Sequence, residues 1–382
     1  MARLNPRAAG RMRDALQGHI DRGRIPGAVA MVALGGQTGF FEALGQQDPQ
    51  SGRAMQPDSI FRIYSMTKPI VSLAALMLVE QGLLQLIDPV AKYLPVFAGQ
   101  QVALGQGGDV RLVAAQRPAT VHDLLRHTAG LTYEFLGESA VQLQYRDAKI
   151  ASRKRSSAEF CAVLAALPLA HQPGSCWQYS RATDVLGALL EAVTGQSLGR
   201  LLQETILGPL GMKDTAFSVP PPQQHRMAEP FAADPDSGEA VVMMDGRIVP
   251  RFESGGGGLL STAADYTRLL QLMRNRGTLD GVRLVSRKTI DWMTADHLGA
   301  IPANGDMLLP GHGFGLGFAV RTHAGLAPQA GSVGTYFWTG IGGTSFFVDP
   351  AEDLFAMLLT QAPGQRIFFR NLLRQLVYGA LD

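Results

Sequence analysis

Phe61-Arg-Ile-Tyr-Ser65-Met-Thr-Lys68-Pro-Ile70 is the passage on which the reading of this chain turns. A Ser-x-x-Lys spacing at a helix start brings both side chains onto one face. Pro69 fits a helix beginning near Ser65, because proline is tolerated in the first turn, where backbone N–H groups lack partners anyway. The run Val71 to Val79 is apolar nearly all round and predicts a buried central helix over Pro69–Gln81. Three needs of an acyl-transfer site meet here. A serine hydroxyl is a weak nucleophile and needs a base within reach; Lys68 serves only if burial lowers its pKa from ~10.4 towards working pH. The helix N-terminus also directs free N–H groups at any oxyanion formed beside Ser65. The plainer reading is a serine cap followed by a solvated lysine, and four residues alone do not choose between the two.

Outward from this passage, the two ends of the chain resemble each other. Helical spacing in Ala9 to Ile20 leads to the apolar strand Gly27-Ala-Val-Ala-Met-Val-Ala-Leu34, a Gly35-Gly36 hairpin signal and Phe40-Phe41. Thr344 to Pro350 and Leu354 to Thr360 read as strands, and Ile367 to Tyr378 as a closing amphipathic helix. Such ends commonly share one sheet. The middle is mostly helical, with helices expected at Val121–Arg126, Ser157–Ala166, Thr183–Val193 and Leu198–Thr205. A Pro-rich excursion runs from Pro220 to Pro235, and Ser254-Gly-Gly-Gly-Gly-Leu-Leu260 returns the chain before a helix at Tyr266–Arg274. The predicted class is α+β, an antiparallel sheet flanked by N- and C-terminal helices plus an inserted helical lobe. Residues 1–70 and 251–382 would form a discontinuous α/β lobe and 71–250 the helical one, with the active site in the cleft between them. A length of 382 residues exceeds the usual ceiling for one core and agrees with two lobes.

Two further passages carry chemistry. Pro173-Gly-Ser-Cys-Trp-Gln-Tyr179-Ser-Arg181 sets a tyrosine between a turn and a helix, where it can face a cleft; an isolated tyrosine more commonly packs in the core with its hydroxyl satisfied. In Gly334-Thr-Tyr-Phe-Trp338-Thr339-Gly340-Ile341-Gly-Gly-Thr344 the glycines permit close backbone approach, so Ile341 can supply a second oxyanion N–H. An ordinary Gly-rich hairpin is the alternative.

Composition narrows the function classes. Hydrophobic residues make up 46% and charged ones 17%, with 44 Gly and 22 Pro, too apolar for disorder and too turn-rich for a helical array. Lys and Arg number 34 against 32 Asp and Glu, a balance that gives no reason to expect a nucleic-acid or membrane partner. Arg153-Lys154-Arg155 reads as a solvated turn. Cys161 and Cys176 fit no metal or redox spacing and are expected to be reduced core residues. No apolar run approaches the ~20 residues of a membrane span, and the charged N-terminus lacks a signal-peptide core, so a cytoplasmic location is expected. No H-E-x-x-H or comparable cluster appears; neither metal nor cofactor is expected.

Taken together and in order, these passages resemble the serine β-lactamase and penicillin-binding-protein superfamily, nearest its esterase branch, the family VIII carboxylesterases related to class C β-lactamases. Phe61 to Lys68, Leu83 to Pro95, Leu124 to Leu131, Pro173 to Gly187, Ser254 to Asp265 and Phe337 to Pro350 carry the likeness. The resemblance implies Ser65 as acylated nucleophile, Lys68 as its base partner and Tyr179 as second base and donor to the leaving group. It also implies the N–H groups of Ser65 and Ile341 as oxyanion hole and Trp338-Thr339-Gly340 as the substrate-flanking strand. Two departures stand out. Arg181 occupies the place of an asparagine amide that engages substrate, and Trp338 that of a lysine that holds a β-lactam carboxylate. Both favour neutral esters, with an apolar group against the indole. The expected activity is therefore a carboxylesterase acting on short- to medium-chain acyl esters. A β-lactamase, a D-amino-acid peptidase or amidase, an acyltransferase and a catalytically silent binding protein are the alternatives; oligomeric state is not legible. Gly195-Gln-Ser197-Leu-Gly199 mimics a nucleophile elbow but follows a helix, so Ser197 reads as a helix N-cap. His127 and His171 are not needed by a Ser/Lys/Tyr site.

Overall fold

A computed structural model describes residues 4–105 and 110–382. Its centre is an eight-stranded antiparallel sheet that takes strands from both ends of the chain. From one edge the order is His312–Phe314, Ala319–Arg321, Tyr336–Thr339, Ser345–Asp349, Leu354–Leu359, Gly27–Leu34, Gln37–Asp48 and Arg53–Ala54. The first strand of the sequence lies beside the last, with Val29 opposite Leu359 and Leu34 opposite Leu354. Gly27–Leu34 is apolar at almost every position because both faces of the sheet are covered. Gly35 and Gly36 both take positive φ (60° and 79°), the backbone a two-residue hairpin turn requires.

Alternation along the strands separates two environments. Phe337 and Phe347 point to the back, where the terminal helices Pro6–Asp21 and Arg366–Tyr378 lie; Phe347 stacks on Tyr378 at 5.4 Å. These helices meet through the edge of His19 on Phe368 and Phe369. Trp338 and Phe346 point to the front, towards the buried helix Thr67–Glu80 and the helix Ala263–Arg274, whose Tyr266 packs on Phe346 and donates to the Met66 carbonyl. The short strand Phe61–Arg62 pairs with Leu260–Ser261, which sets Gly255–Gly258 beside the turn containing Ser65.

Several expectations need adjustment. The helix expected from Tyr266 starts at Ala263, capped by Thr262, and the Asp265 carboxylate accepts from Thr215 and the Asp214 N–H. The helix expected over Leu198–Thr205 is α-helical only to Leu202 and widens into a π-helical turn at Gln203–Leu207. Arg153 is half-buried, donating to the Asp245 and Phe217 carbonyls, and Arg155 binds the carbonyls of Ala148 and Lys149. Only Lys154 of that trio is solvated. Cys161 is a buried thiol, whereas Cys176 is only half-buried. The edge strand His312–Phe314, its neighbour Ala319–Arg321 and the helices Ala140–Asp147 and Arg287–Met293 were not read from sequence. Three-residue strands are too short to show a period. Among the described residues, no helix is long and apolar enough to cross a membrane.

Candidate active site

Ser65 sits in a single 3₁₀ turn, Tyr64–Met66, that runs into the helix Thr67–Glu80. Tyr64 takes φ +43°, a conformation that costs a non-glycine residue roughly 1–2 kcal/mol. Three contacts hold it there: its hydroxyl accepts from the Met244 N–H at 2.8 Å, its ring covers Gly342, and the backbone at its own position rests on Gly257. Among the described residues neither the Ser65 nor the Ile341 backbone N–H has a hydrogen-bond partner. Gly340 brings these two segments together. A Cβ there would lie 2.5 Å from the Ile63 carbonyl oxygen, so only glycine lets the strand approach the nucleophile turn.

Lys68 is fully buried, and its amine donates to the Gly256 carbonyl at 2.6 Å, the Tyr133 hydroxyl at 3.0 Å and Ser65 Oγ at 3.3 Å. Burial lowers its pKa to about 7, with Asp184 opposing and Arg181 assisting the shift. Removal of the amine from water thus meets the condition posed by the sequence. Tyr179 donates to Ser65 Oγ at 2.6 Å and itself accepts from the Trp338 indole N–H at 3.3 Å. Burial pushes Tyr179 well above the ordinary phenol range, which the bonds to Ser65 and Trp338 only partly oppose, so the resting side chain is a neutral phenol. Its ring is held among His127, Tyr133 and Trp338 at centroid distances of 4.9–5.1 Å.

Asp184, on the helix Ala182–Thr194, organises the glycine segment. It accepts from Ser254 Oγ at 2.5 Å and the Gly256 N–H at 3.0 Å, and so fixes the carbonyl on which Lys68 rests. A Cβ on Gly255 would meet the Thr183 carbonyl at 2.6 Å, and one on Gly256 the Asp184 carboxylate at 2.8 Å. The glycine run is therefore a packing surface between motifs as well as a turn.

Ser65 and Tyr179 open onto a cleft of about 580 Å³. Phe135, Leu136, Met244, Phe252, Met307, Ile341 and Ile367 give it an apolar wall, and Phe135, Met307, Ile341 and Ile367 remain between 39% and 56% exposed at its mouth. Thr339 and Ile341 of the third motif line the cleft. Trp338 does not: it is 3% exposed, packed between Tyr179 and Phe314 behind the reacting groups, which corrects the expectation of an indole against the substrate. Gly340 packs on Ile63 and is not part of the wall. Arg181 reaches the cleft, but its guanidinium is spoken for by Glu134 through two contacts and by Asp184 at 3.2 Å, and it covers the Tyr133 ring at 4.7 Å. It is an electrostatic strut and not a free donor. Sequence reasoning missed Tyr133, Glu134 and Asp184; the aromatic two positions beyond the Leu124 to Leu131 passage, which ends His127-Thr-Ala-Gly-Leu131, was the available signal for the first. His127 is buried, its Nδ1 beside Ser180 Oγ at 3.1 Å, and His171 pairs with Asn304 at the surface. Ser197 caps the helix that follows it, its hydroxyl accepting from the Arg200 N–H, as a helix cap and not as the serine of an elbow. Among the described residues no group of three or more His, Cys, Asp or Glu side chains is arranged to hold a metal ion.

A Ser–Lys–Tyr constellation at the start of a buried helix, facing an antiparallel sheet, defines a serine hydrolase of the β-lactamase type. The chain belongs to the Beta-lactamase family, whose profile matches residues 12–378. It is 36% identical over 363 residues to esterase EstB of Burkholderia gladioli, covering 88% of this chain and 86% of that one. A lovastatin esterase of Penicillium rubens is 31% identical over 300 residues, with 75% and 73% covered. The solved structure of EstCE1, described as a hydrolase with promiscuous acyltransferase activity, superposes with a TM-score of 0.83 at 28% identity, covering 97% of this chain and 98% of that one.

Proposed function

We propose that this chain is a cytoplasmic carboxylesterase that hydrolyses short- to medium-chain acyl esters through an acyl-enzyme on Ser65. The observation that carries the reading is the bond from the Trp338 indole to Tyr179, which replaces a substrate-facing cation with a neutral, buried donor beside an apolar cleft. Neutral Lys68 takes the Ser65 proton as Oγ attacks the ester carbonyl, and the N–H groups of Ser65 and Ile341 receive the oxyanion. As the C–O bond to the alcohol breaks, Tyr179 protonates the departing oxygen. That leaves a phenolate beside the Lys68 ammonium, stabilised by the indole N–H. Water then attacks the acyl-enzyme and gives its proton to Tyr179, while Lys68 returns its proton to Ser65 Oγ, and the starting state is restored. The names of EstB, the lovastatin esterase and EstCE1 support the ester preference.

Acyl transfer to an alcohol is the second reading, favoured by the volume of the apolar cleft, about 580 Å³, and by the description of EstCE1; it differs only in which hydroxyl reaches the acyl-enzyme. β-Lactam or D-amino-acid amide hydrolysis is expected to be slower, since position 338 offers no cation. The test is a series of 4-nitrophenyl esters of rising acyl length compared with nitrocefin, with and without an added alcohol, in wild type and Ser65→Ala. Esters should be turned over fastest and Ser65→Ala should be inactive. Nitrocefin outpacing every ester would refute the preference, and residual ester turnover within tenfold in Ser65→Ala would refute the nucleophile.

A further inference from the structure

Among the described residues three arginines are buried, and two of them are satisfied. Arg62 pairs with Glu229 at 2.9 Å and donates to the Ala228 and Met244 carbonyls. Arg321 donates to the carbonyls of His323, Gln329 and Ala324. Arg374, 2% exposed, has no partner among the described residues for Nη1 or for Nη2. Its guanidinium lies over the rings of Phe337 at 4.2 Å and Phe347 at 5.1 Å, on the back of the strands that carry the third motif. A buried cation left unpaired is among the costliest arrangements in a fold.

Arg374 is not alone. Arg366, Arg370 and Arg374 recur every fourth residue on one face of the closing helix, a like-charge spacing that disfavours the helix unless something neutralises it. Among the described residues Arg370 Nε is buried without a partner, and Arg366 makes one bond, to the Pro363 carbonyl. None of the three forms an ion pair with a described carboxylate. Asp349, whose field reaches Arg374, already accepts from Tyr378, Thr335 and the Ser332 N–H. His312 stands on the same ring of Phe337; its Nδ1 faces the Pro310 carbonyl and its Nε2 has no partner among the described residues. Burial lowers Arg374 only to about 10, so it stays a cation at neutral pH. Arg366 and Arg370 also line the catalytic cleft.

We propose that Arg370 and Arg374, walled by Phe337, Phe347 and His312, bind a small oxyanion, a carboxylate or phosphate, with Arg366 extending the site to the cleft. The planar guanidinium matches either group through paired N–H bonds. The oxyanion is carried on the tail of an ester substrate, away from the reacting carbonyl, or is free in solution, and two experiments separate these sources.

The first is urea or thermal unfolding of wild type and Arg374→Met in rising inorganic phosphate, with ionic strength held constant by sodium chloride. A saturable stabilisation of wild type, absent from Arg374→Met, is the expected result; Arg370→Gln, at a half-buried position, serves if Arg374→Met does not fold. The second compares kcat/KM for 4-nitrophenyl monosuccinate and 4-nitrophenyl butanoate. If the substrate bears the anion, Arg370→Gln lowers the succinate-to-butanoate ratio about tenfold, the loss of one charge-assisted bond. An unchanged ratio with a phosphate-dependent stability assigns a free ion to the site. Stability indifferent to phosphate together with an unchanged ratio overturns the site. Because the unfolding arm needs no turnover, its outcome does not depend on the esterase reading.

Discussion

Replacing Lys68 with methionine should abolish turnover and, at neutral pH, make the protein harder to unfold. The fold holds the Lys68 amine at about 7 against 10.5 for an exposed lysine. Below the lower value the folded chain carries the full cost of burying an ammonium. Between the two values the unfolded chain keeps a proton that the folded chain sheds, so this residue's contribution to stability rises with pH at up to ~1.4 kcal/mol per unit. From pH 7 to pH 9 the gain is about 2 kcal/mol, and the rise levels off to a plateau above pH 10.5. Methionine fills a similar volume without a charge and removes that dependence. The assay is urea unfolding of both proteins at pH 7, 8 and 9, plotted as the difference between them. Wild type should close on the variant as pH rises, while wild-type kcat/KM climbs on a limb centred near 7. A difference flat across that window, with the limb displaced above pH 9, would mean that the amine stays charged and cannot be the resting base.

Further outcomes follow from neighbouring contacts. Trp338→Phe deletes the N–H that supports Tyr179 and should lower kcat by about tenfold with little change in KM, since Trp338 does not line the cleft; steady-state kinetics on a 4-nitrophenyl ester checks this, and a change confined to KM would contradict it. Tyr179→Phe should lose at least the ~10²–10⁴ typical of general acid–base catalysis, measured as kcat, and activity within tenfold of wild type would remove its role. Asp184→Asn strips a negative charge that holds the Lys68 pKa up, so the ascending pH–rate limb should move to lower pH while the protein loses roughly 3–5 kcal/mol from the broken buried pair; a limb moving upward would invert the electrostatic account. Gly340→Ala forces a Cβ against the Ile63 carbonyl and should depress both soluble yield and kcat, read by unfolding and kinetics on the purified variant.

The parts of this protein fixed by short-range rules were legible without coordinates. The strand Gly27–Leu34, its glycine hairpin, the buried helix after Ser65 and the capped helix after Ser197 each follow from patterns within about a dozen residues. The resemblance then supplied Ser65, Lys68 and Tyr179 as a set, and the fold brings their functional atoms within 3.3 Å of Ser65 Oγ. The direction of the Trp338 and Arg181 side chains was not legible. Which face of a strand carries an indole, and whether a carboxylate 47 residues away meets a guanidinium, are decided by packing between segments remote in sequence. The same holds for the Lys68 pKa. Its residue type is written in the sequence, but the desolvation that makes it a base comes from Gly256, Tyr133 and Tyr179, gathered around it from distant parts of the chain. Local sequence specifies which groups are available; only the closed tertiary structure removes water from them and so sets what they can do.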